Sequence, residues 1–265
     1  MGCHHPRNSP KCCNDPLSWH RLWAGLIWDG LASHEVLDSV VLVHSPLVGP
    51  SAWGPFARLI AESGADVRLP DLTRVTDFDP PWHGVFVDTV ISAAVGLKGP
   101  VTVIGHSGAG VFLPAIGGEL GNRLDALVFV DAVVPAESGV HRTPPEMEDL
   151  LDEQTVNGLL LMWLDWWPPE TIVELLPNPE DRAEFRADMP RLPRSFYDEQ
   201  VPMPPGWSDW PCCFVDLSGA YRAEFEETEK RGWPRMSVDG THLSVYTDPE
   251  TVLAAVESAR GQIKR

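Results

Sequence analysis

Ser107 is the residue whose setting most suggests nucleophilic chemistry. It stands in Gly105-His106-Ser107-Gly108-Ala109-Gly110, directly after the apolar run Val101-Thr102-Val103-Ile104 and before a helical pattern. A serine on a tight strand-to-helix turn exposes its hydroxyl above the sheet, and small residues at 105 and 109 let the backbone fold that sharply. The Gly108 amide then opens the next helix, where its N–H can face a developing oxyanion. A serine hydroxyl needs a base to become a useful nucleophile. Of nine histidines, only His242, in Gly240-Thr241-His242-Leu243, lies between the last strand-like run and the last helical one. That placement suits a general base. The base in turn needs a carboxylate to orient it and stabilise its charged form.

These residues require a scaffold. From Val36 onward, short apolar runs alternate with helical patterns. The run at 40–43 is too apolar for a sheet with one wet face. Further strands are expected at 67–69, 101–104, 127–130, 212–217 and 234–238. Helices are expected at 56–63, where Gly64 closes the turn, and at 86–97, 108–120, 221–231 and 249–263. Such alternation implies an α/β fold, a mostly parallel doubly wound sheet covered by helices on both faces. The rhythm breaks over about 136–205, which is dense in Pro, acids and Trp and contains Met162-Trp163-Leu164-Asp165-Trp166-Trp167-Pro168-Pro169. Helices are expected there near 147–164, 169–176 and 179–188. This stretch reads as a helical cap inserted into a domain of 36–265. Trp163 and Trp166 could roof an apolar substrate pocket above Ser107, or simply pack the cap. Residues 1–35 read as an N-terminal extension, expected to be poorly ordered.

The chain has 265 residues, with 38 acidic against 20 basic side chains and a net charge of -18. That surplus argues against nucleic acid, whose phosphates need Lys and Arg to displace counterions, and against anionic membranes. No apolar run approaches the roughly 20 residues of a spanning helix. The first residues lack the apolar core of a signal peptide, and Pro6 stands where a myristoylation site needs Ser or Thr. Cys3, His4, His5, Cys12 and Cys13 could group around a metal, but no second ligand pair has zinc-finger spacing, so no metal is expected. Five cysteines in this arrangement do not read as a disulfide framework, and a cytoplasmic setting is the simplest. Cys212 and Cys213 are expected to face opposite sides of the sheet. The partner expected is a small-molecule substrate, neutral or cationic and apolar. A homodimer stays open.

From about Val36 to its end the chain resembles the α/β-hydrolase superfamily, in its esterase-like branch. The resemblance rests on Val41-Leu42-Val43-His44, Trp53, the turn around Ser107, Phe129-Val130-Asp131-Ala132-Val133-Val134-Pro135, and Gly240-Thr241-His242-Leu243. It implies a Ser-His-acid triad and chemistry without a cofactor. Two segments depart from the family pattern. After the early strand, where the family lends an oxyanion amide, stand His44-Ser45-Pro46-Leu47. Pro46 has no N–H, so Leu47 is the expected amide partner of Gly108, with the Ser45 hydroxyl beside the substrate. The usual place of the acid, near Ala220 or Tyr221, holds none. Asp131 is the favoured substitute, ahead of Asp216 and Glu224. His106 is expected to be a structural neighbour. The function implied is hydrolysis of a carboxylic ester or thioester by a carboxylesterase-like enzyme. Two alternatives use the same fold: a lyase or cyclase with His242 as acid/base, and a non-catalytic ligand binder.

Overall fold

β1 (Ser39–Val43) is buried at every position, as its wholly apolar centre requires of a strand covered on both faces. The computed structural model describes residues 37–264. The expected extension over 1–35, and the possible metal group of Cys3, His4, His5, Cys12 and Cys13, lie outside the described residues. After β1 come α1 (Gly54–Glu62), β2 (Asp66–Arg68), α2 (Trp82–Ala93), β3 (Val101–Ser107), α3 (Leu113–Leu120) and β4 (Leu124–Ala132). A long insertion follows, with β5 (Val140–His141), α4 (Pro145–Glu153), β6 (Thr155–Val156), β7 (Leu159–Leu160), α5 (Pro169–Leu175), α6 (Pro179–Ala187) and β8 (Val201–Pro202). The sheet resumes with β9 (Cys212–Asp216), α7 (Arg222–Lys230) and β10 (Arg235–Ser237), and the chain continues through α8 (Ser244–Thr247) and α9 (Pro249–Gly261).

The main sheet has the order β10-β9-β4-β3-β1-β2, and each neighbouring pair is parallel. This is the α/β architecture expected. Side chains alternate across it: Val41, Val103, Phe129 and Cys212 pack on one face with Phe86 and Ile116, while Val40, Ile104, Val130 and Cys213 pack on the other with Phe56 and Val256. The two cysteines therefore face opposite sides. The strand order reverses between β1 and β3, because the chain moves outward from β1 to β2 and then returns to the other side of β1. The crevice beyond the carboxyl ends of such strands is where open α/β sheets bind ligands. β1 delivers His44 and Ser45 there, and β3 delivers Ser107.

Two expected helices are different in the structure. The segment 108–120 begins as a 3-10 turn, Gly108–Phe112, and becomes α-helical only from Leu113. Pro114 fits that start, since its missing N–H belongs to the first helical turn. The helix expected over 147–164 ends at Glu153 and gives way to the β6–β7 hairpin. Asn157 and Gly158 turn it with φ of 53° and 78°. Asn-Gly is the pair that accepts two consecutive positive φ angles, and it outweighs the helical spacing around it.

The insertion docks on the core through two carboxylates placed where helical turns leave amides unpaired. Glu199 accepts from the Trp82 and His83 amides at the start of α2, at 2.5 and 2.8 Å. Asp188 accepts from the Ser51 amide at 2.8 Å and from its hydroxyl at 2.7 Å. Gly49 makes the second contact possible, because a Cβ there would overlap the Asp188 carboxyl. Val48 and Leu243 of the core and Ile172, Leu176 and Phe185 of the insertion form a separate apolar cluster. Gly49→Ala is expected to destabilise the fold by about 1–3 kcal/mol, the range for overpacking. Asp188→Ala in that background should cost less than in the wild type, since it removes the clash, and a double-mutant cycle by urea unfolding reads the difference.

Candidate active site

Ser107 ends β3 with φ 59° and ψ -129°, a conformation L-residues avoid and that costs about 1–3 kcal/mol unless the surroundings impose it. The surroundings here are specific. A Cβ on Gly105 would come within 2.7 Å of the Leu113 side chain, and one on Gly110 would overlap the Val133 carbonyl. The Val133 amide donates to the Ser107 carbonyl at 3.1 Å, so β4 grips the turn from the side. Gly110 is thus as demanding as the small positions at 105 and 109.

His242 sits in a tight turn before α8. The Thr241 amide donates to Ser244 Oγ, and the Ser244 amide to the Thr241 carbonyl, both at 2.9 Å. Gly240 is packed against Ser244 and the Leu217 carbonyl, with no space for a larger residue. His242 Nδ1 lies 2.7 Å from Asp131 Oδ2. Asp131 has no exposed surface and stands one residue before the end of β4, with φ 43°. Its carboxylate also accepts from the Ser218 hydroxyl at 2.6 Å and from the Leu217 and Ser218 amides at 3.2 and 3.4 Å. Burial by itself would raise its pKa. The His242 bond and charge, the Ser218 hydroxyl and His106 outweigh burial and hold it down to about 2. An ionised Asp131 makes Nδ1 the protonated nitrogen of His242 and leaves Nε2 to take a proton.

Neither rival carboxylate is the hydrogen-bond partner of His242. Asp216 accepts from the Gly219 amide at 3.1 Å and the Ser237 hydroxyl at 3.0 Å, which shapes the turn after β9. Glu224 lies in the first turn of α7, and burial, then the charge of Asp131, raise its pKa. His106 is buried, and its Nε2–H donates to the His242 carbonyl at 2.9 Å. Burial first, then the nearby His242 charge, hold its pKa down to about 3, so it stays neutral.

The loop after β1 is pinned by His44. Its Nδ1–H donates to the Ser45 carbonyl at 3.0 Å, and its Nε2 accepts the Leu72 amide at 3.1 Å. Those bonds define a neutral ring, and burial keeps it neutral by lowering the pKa. Ser45 to Val48 form a turn closed by the Val48 amide on the Ser45 carbonyl at 3.1 Å. The Leu47 amide points at Ser45 Oγ, 3.4 Å away, and Gly108 abuts Pro46 and that same Oγ.

Ser45, Leu47, Val48, His106, Ser107, Trp163, Phe185, His242 and Leu243 line one pocket. Trp163 approaches His242 with ring centroids 6.1 Å apart. Trp166 is not among the lining residues; its indole donates to the Leu161 carbonyl at 2.9 Å and its ring packs on the core. One residue at the site was not anticipated. The Ser107 hydroxyl has as its hydrogen-bond partner not His242 but the Tyr221 hydroxyl, at 3.1 Å. Tyr221 occupies the very stretch where an acid was sought, and a search for any polar head there would have found it. A strained serine and a histidine fixed by an ionised carboxylate are together suited to acyl transfer.

The model for the alpha/beta hydrolase family matches residues 40–262. Among curated proteins none matches. Among solved structures, a pyrethroid hydrolase, PytH, is 17% identical with a TM-score of 0.66, covering 85% of this chain and 98% of that one. A methylesterase from Arabidopsis, MES16, is 19% identical with a TM-score of 0.60, covering 82% and 96%. Tomato methylketone synthase I, complexed with 2-tridecanone, is 15% identical with a TM-score of 0.65, covering 86% and 100%. At these identities the likeness is one of fold. Among the described residues no helix is long and apolar enough to cross a membrane.

The neutral His106 carries a prediction about acid stability. Unfolded, its pKa is about 6.5; folded, it is far lower, so unfolding takes up a proton below about pH 6.5 and stability falls as the pH drops. His106→Asn should therefore reduce the slope of stability against pH between pH 6 and pH 4 by about 1.4 kcal/mol per pH unit. Urea unfolding of both proteins across that range measures it.

Proposed function

This chain belongs to the alpha/beta hydrolase family, and from that membership we propose that it is a serine hydrolase. It cleaves a carboxylic ester or thioester of an apolar small molecule through an acyl-serine intermediate. The observation that carries the reading is the 2.7 Å bond between buried Asp131 and His242, on the pocket that Ser107 also lines. His242 Nε2 takes the Ser107 proton as Oγ attacks the acyl carbon. The amides of Gly108 and Leu47 hold the oxyanion, with Ser45 Oγ beside them. The protonated His242 gives its proton to the leaving alcohol or thiol, and then serves as base for the water that frees the acid.

The names of two similar structures, a pyrethroid hydrolase and a methylesterase, support the ester bond as target. Val48, Phe185, Leu243 and Trp163 favour an apolar acyl or alkyl group. A second reading is a non-hydrolytic reaction with His242 as acid/base. The Ser107 hydroxyl bonded to Tyr221 instead of His242 favours it, and methylketone synthase I shares the fold.

A fluorophosphonate probe is expected to label the wild type on Ser107 and to leave Ser107→Ala unlabelled. His242→Ala should slow labelling by about 10²–10⁴, the usual worth of a general base. A folded wild type that takes no label would sink the acyl-serine reading. Turnover of a natural substrate that survives Ser107→Ala but not His242→Ala would establish the second one.

A further inference from the structure

Tyr221 stands at the head of α7, in the turn that follows β9. Its phenol oxygen is 3.1 Å from Ser107 Oγ. Its ring stacks on His242, with centroids 5.7 Å apart and 28° between the planes. One side chain therefore touches the reacting atom and also bounds the base. Burial pushes the phenol up to about 12, the Ser107 bond offsetting only part of it, so the O–H is retained. At rest either oxygen can be the donor. Chemistry removes the choice: when the single Ser107 proton passes to His242, the phenol carries the only O–H of the pair.

We propose that Tyr221 is a further catalytic residue, whose O–H donates to Ser107 Oγ and steadies the charge that gathers there as the acyl–Oγ bond breaks. The role rests on the acyl-serine reading. In acyl capture, Oγ yields its proton to His242 and forms the bond to the carbonyl carbon, whose π pair moves to the carbonyl oxygen. A donor on Oγ draws density from the attacking atom and gives little help. In acyl release, water adds to the acyl carbon while His242 takes one of its protons. The tetrahedral intermediate then expels Oγ, which keeps the bonding pair and regains a proton from His242. Oγ gains charge in that step, and a hydrogen bond to a growing negative charge strengthens. Tyr221 thus speeds release more than capture.

Tyr221→Phe keeps the ring over His242 and removes only the hydroxyl. Wild type and variant are compared with p-nitrophenyl acetate by stopped flow, with rates expressed per site labelled by a fluorophosphonate so that misfolded protein is not counted. The expected result is a p-nitrophenol burst within about threefold of wild type and a steady rate about 10- to 100-fold lower, the range for a hydrogen bond to a charged group. Acetyl-Ser107 should accumulate in the variant by mass spectrometry. An unchanged steady rate, or a burst and steady rate that fall in the same proportion, overturns the role. A wild type that takes neither fluorophosphonate nor acetyl group overturns the acyl-serine reading and this role with it. That outcome is distinct from a normally acylated wild type beside an unaffected variant.

Discussion

The buried carboxylate of Asp131 is the constraint around which the site is arranged. An ionised group with no exposed surface is tolerated only when donors replace its water. Asp131 has four: His242 Nδ1, the Ser218 hydroxyl, and the amides of Leu217 and Ser218. Those donors come from the loop before α8 and from the turn after β9, while the acid itself stands next to the final residue of β4. Three separate parts of the chain are thus drawn to one charge. The arrangement also explains how the turn after β9 can lack an acid of its own. That turn contributes donors to the carboxylate of its neighbouring strand, and Asp216 is left to brace it from inside.

The same economy of charge holds the insertion in place. Most of the 38 acids have no visible part in the site, yet Asp188 and Glu199 satisfy amides at the starts of helical turns in the core. The Asp188 contact lies beside Gly49 and Val48, and Val48 lines the pocket. Asp188, which follows α6, thus contacts the segment just beyond the loop that carries the Leu47 amide. His44 restrains that loop from the other side through Leu72. The loop is held between a buried anchor in the core and a polar contact with the insertion.

Much of this was legible in the residues. The buried strands follow from β-branched runs with no polar face, and the positions of Ser107 and His242 follow from the order of strands and helices around them. What was not legible depended on contacts between distant segments. Asp131, Asp216 and Glu224 differ little as residue types, and only the fold decides which one meets His242. Trp163 and Trp166 are three positions apart, yet the carbonyl of Leu161 holds the second indole away from the pocket. The β6–β7 hairpin is a different kind of miss, because Asn157-Gly158 stated it locally and the helical spacing of the flanking residues obscured it. Tyr221 escaped notice because the slot it fills suggested a carboxylate, and a phenol serves neither as that acid nor as ordinary packing.

The stack of His106, His242 and Tyr221 shows why that phenol suits the slot. His106 lies 4.4 Å from His242 by ring centroids, close enough that two imidazolium charges would oppose each other strongly. Burial keeps His106 neutral, and its Nε2–H is spent on the His242 carbonyl. Tyr221 also stacks on His242, and a carboxylate in its place would add a second negative charge near buried Asp131 and raise the cost of ionising both. A protonated phenol adds a donor without adding a charge. Both rings beside His242 are thus kept uncharged, and Asp131 is the fixed anion next to it.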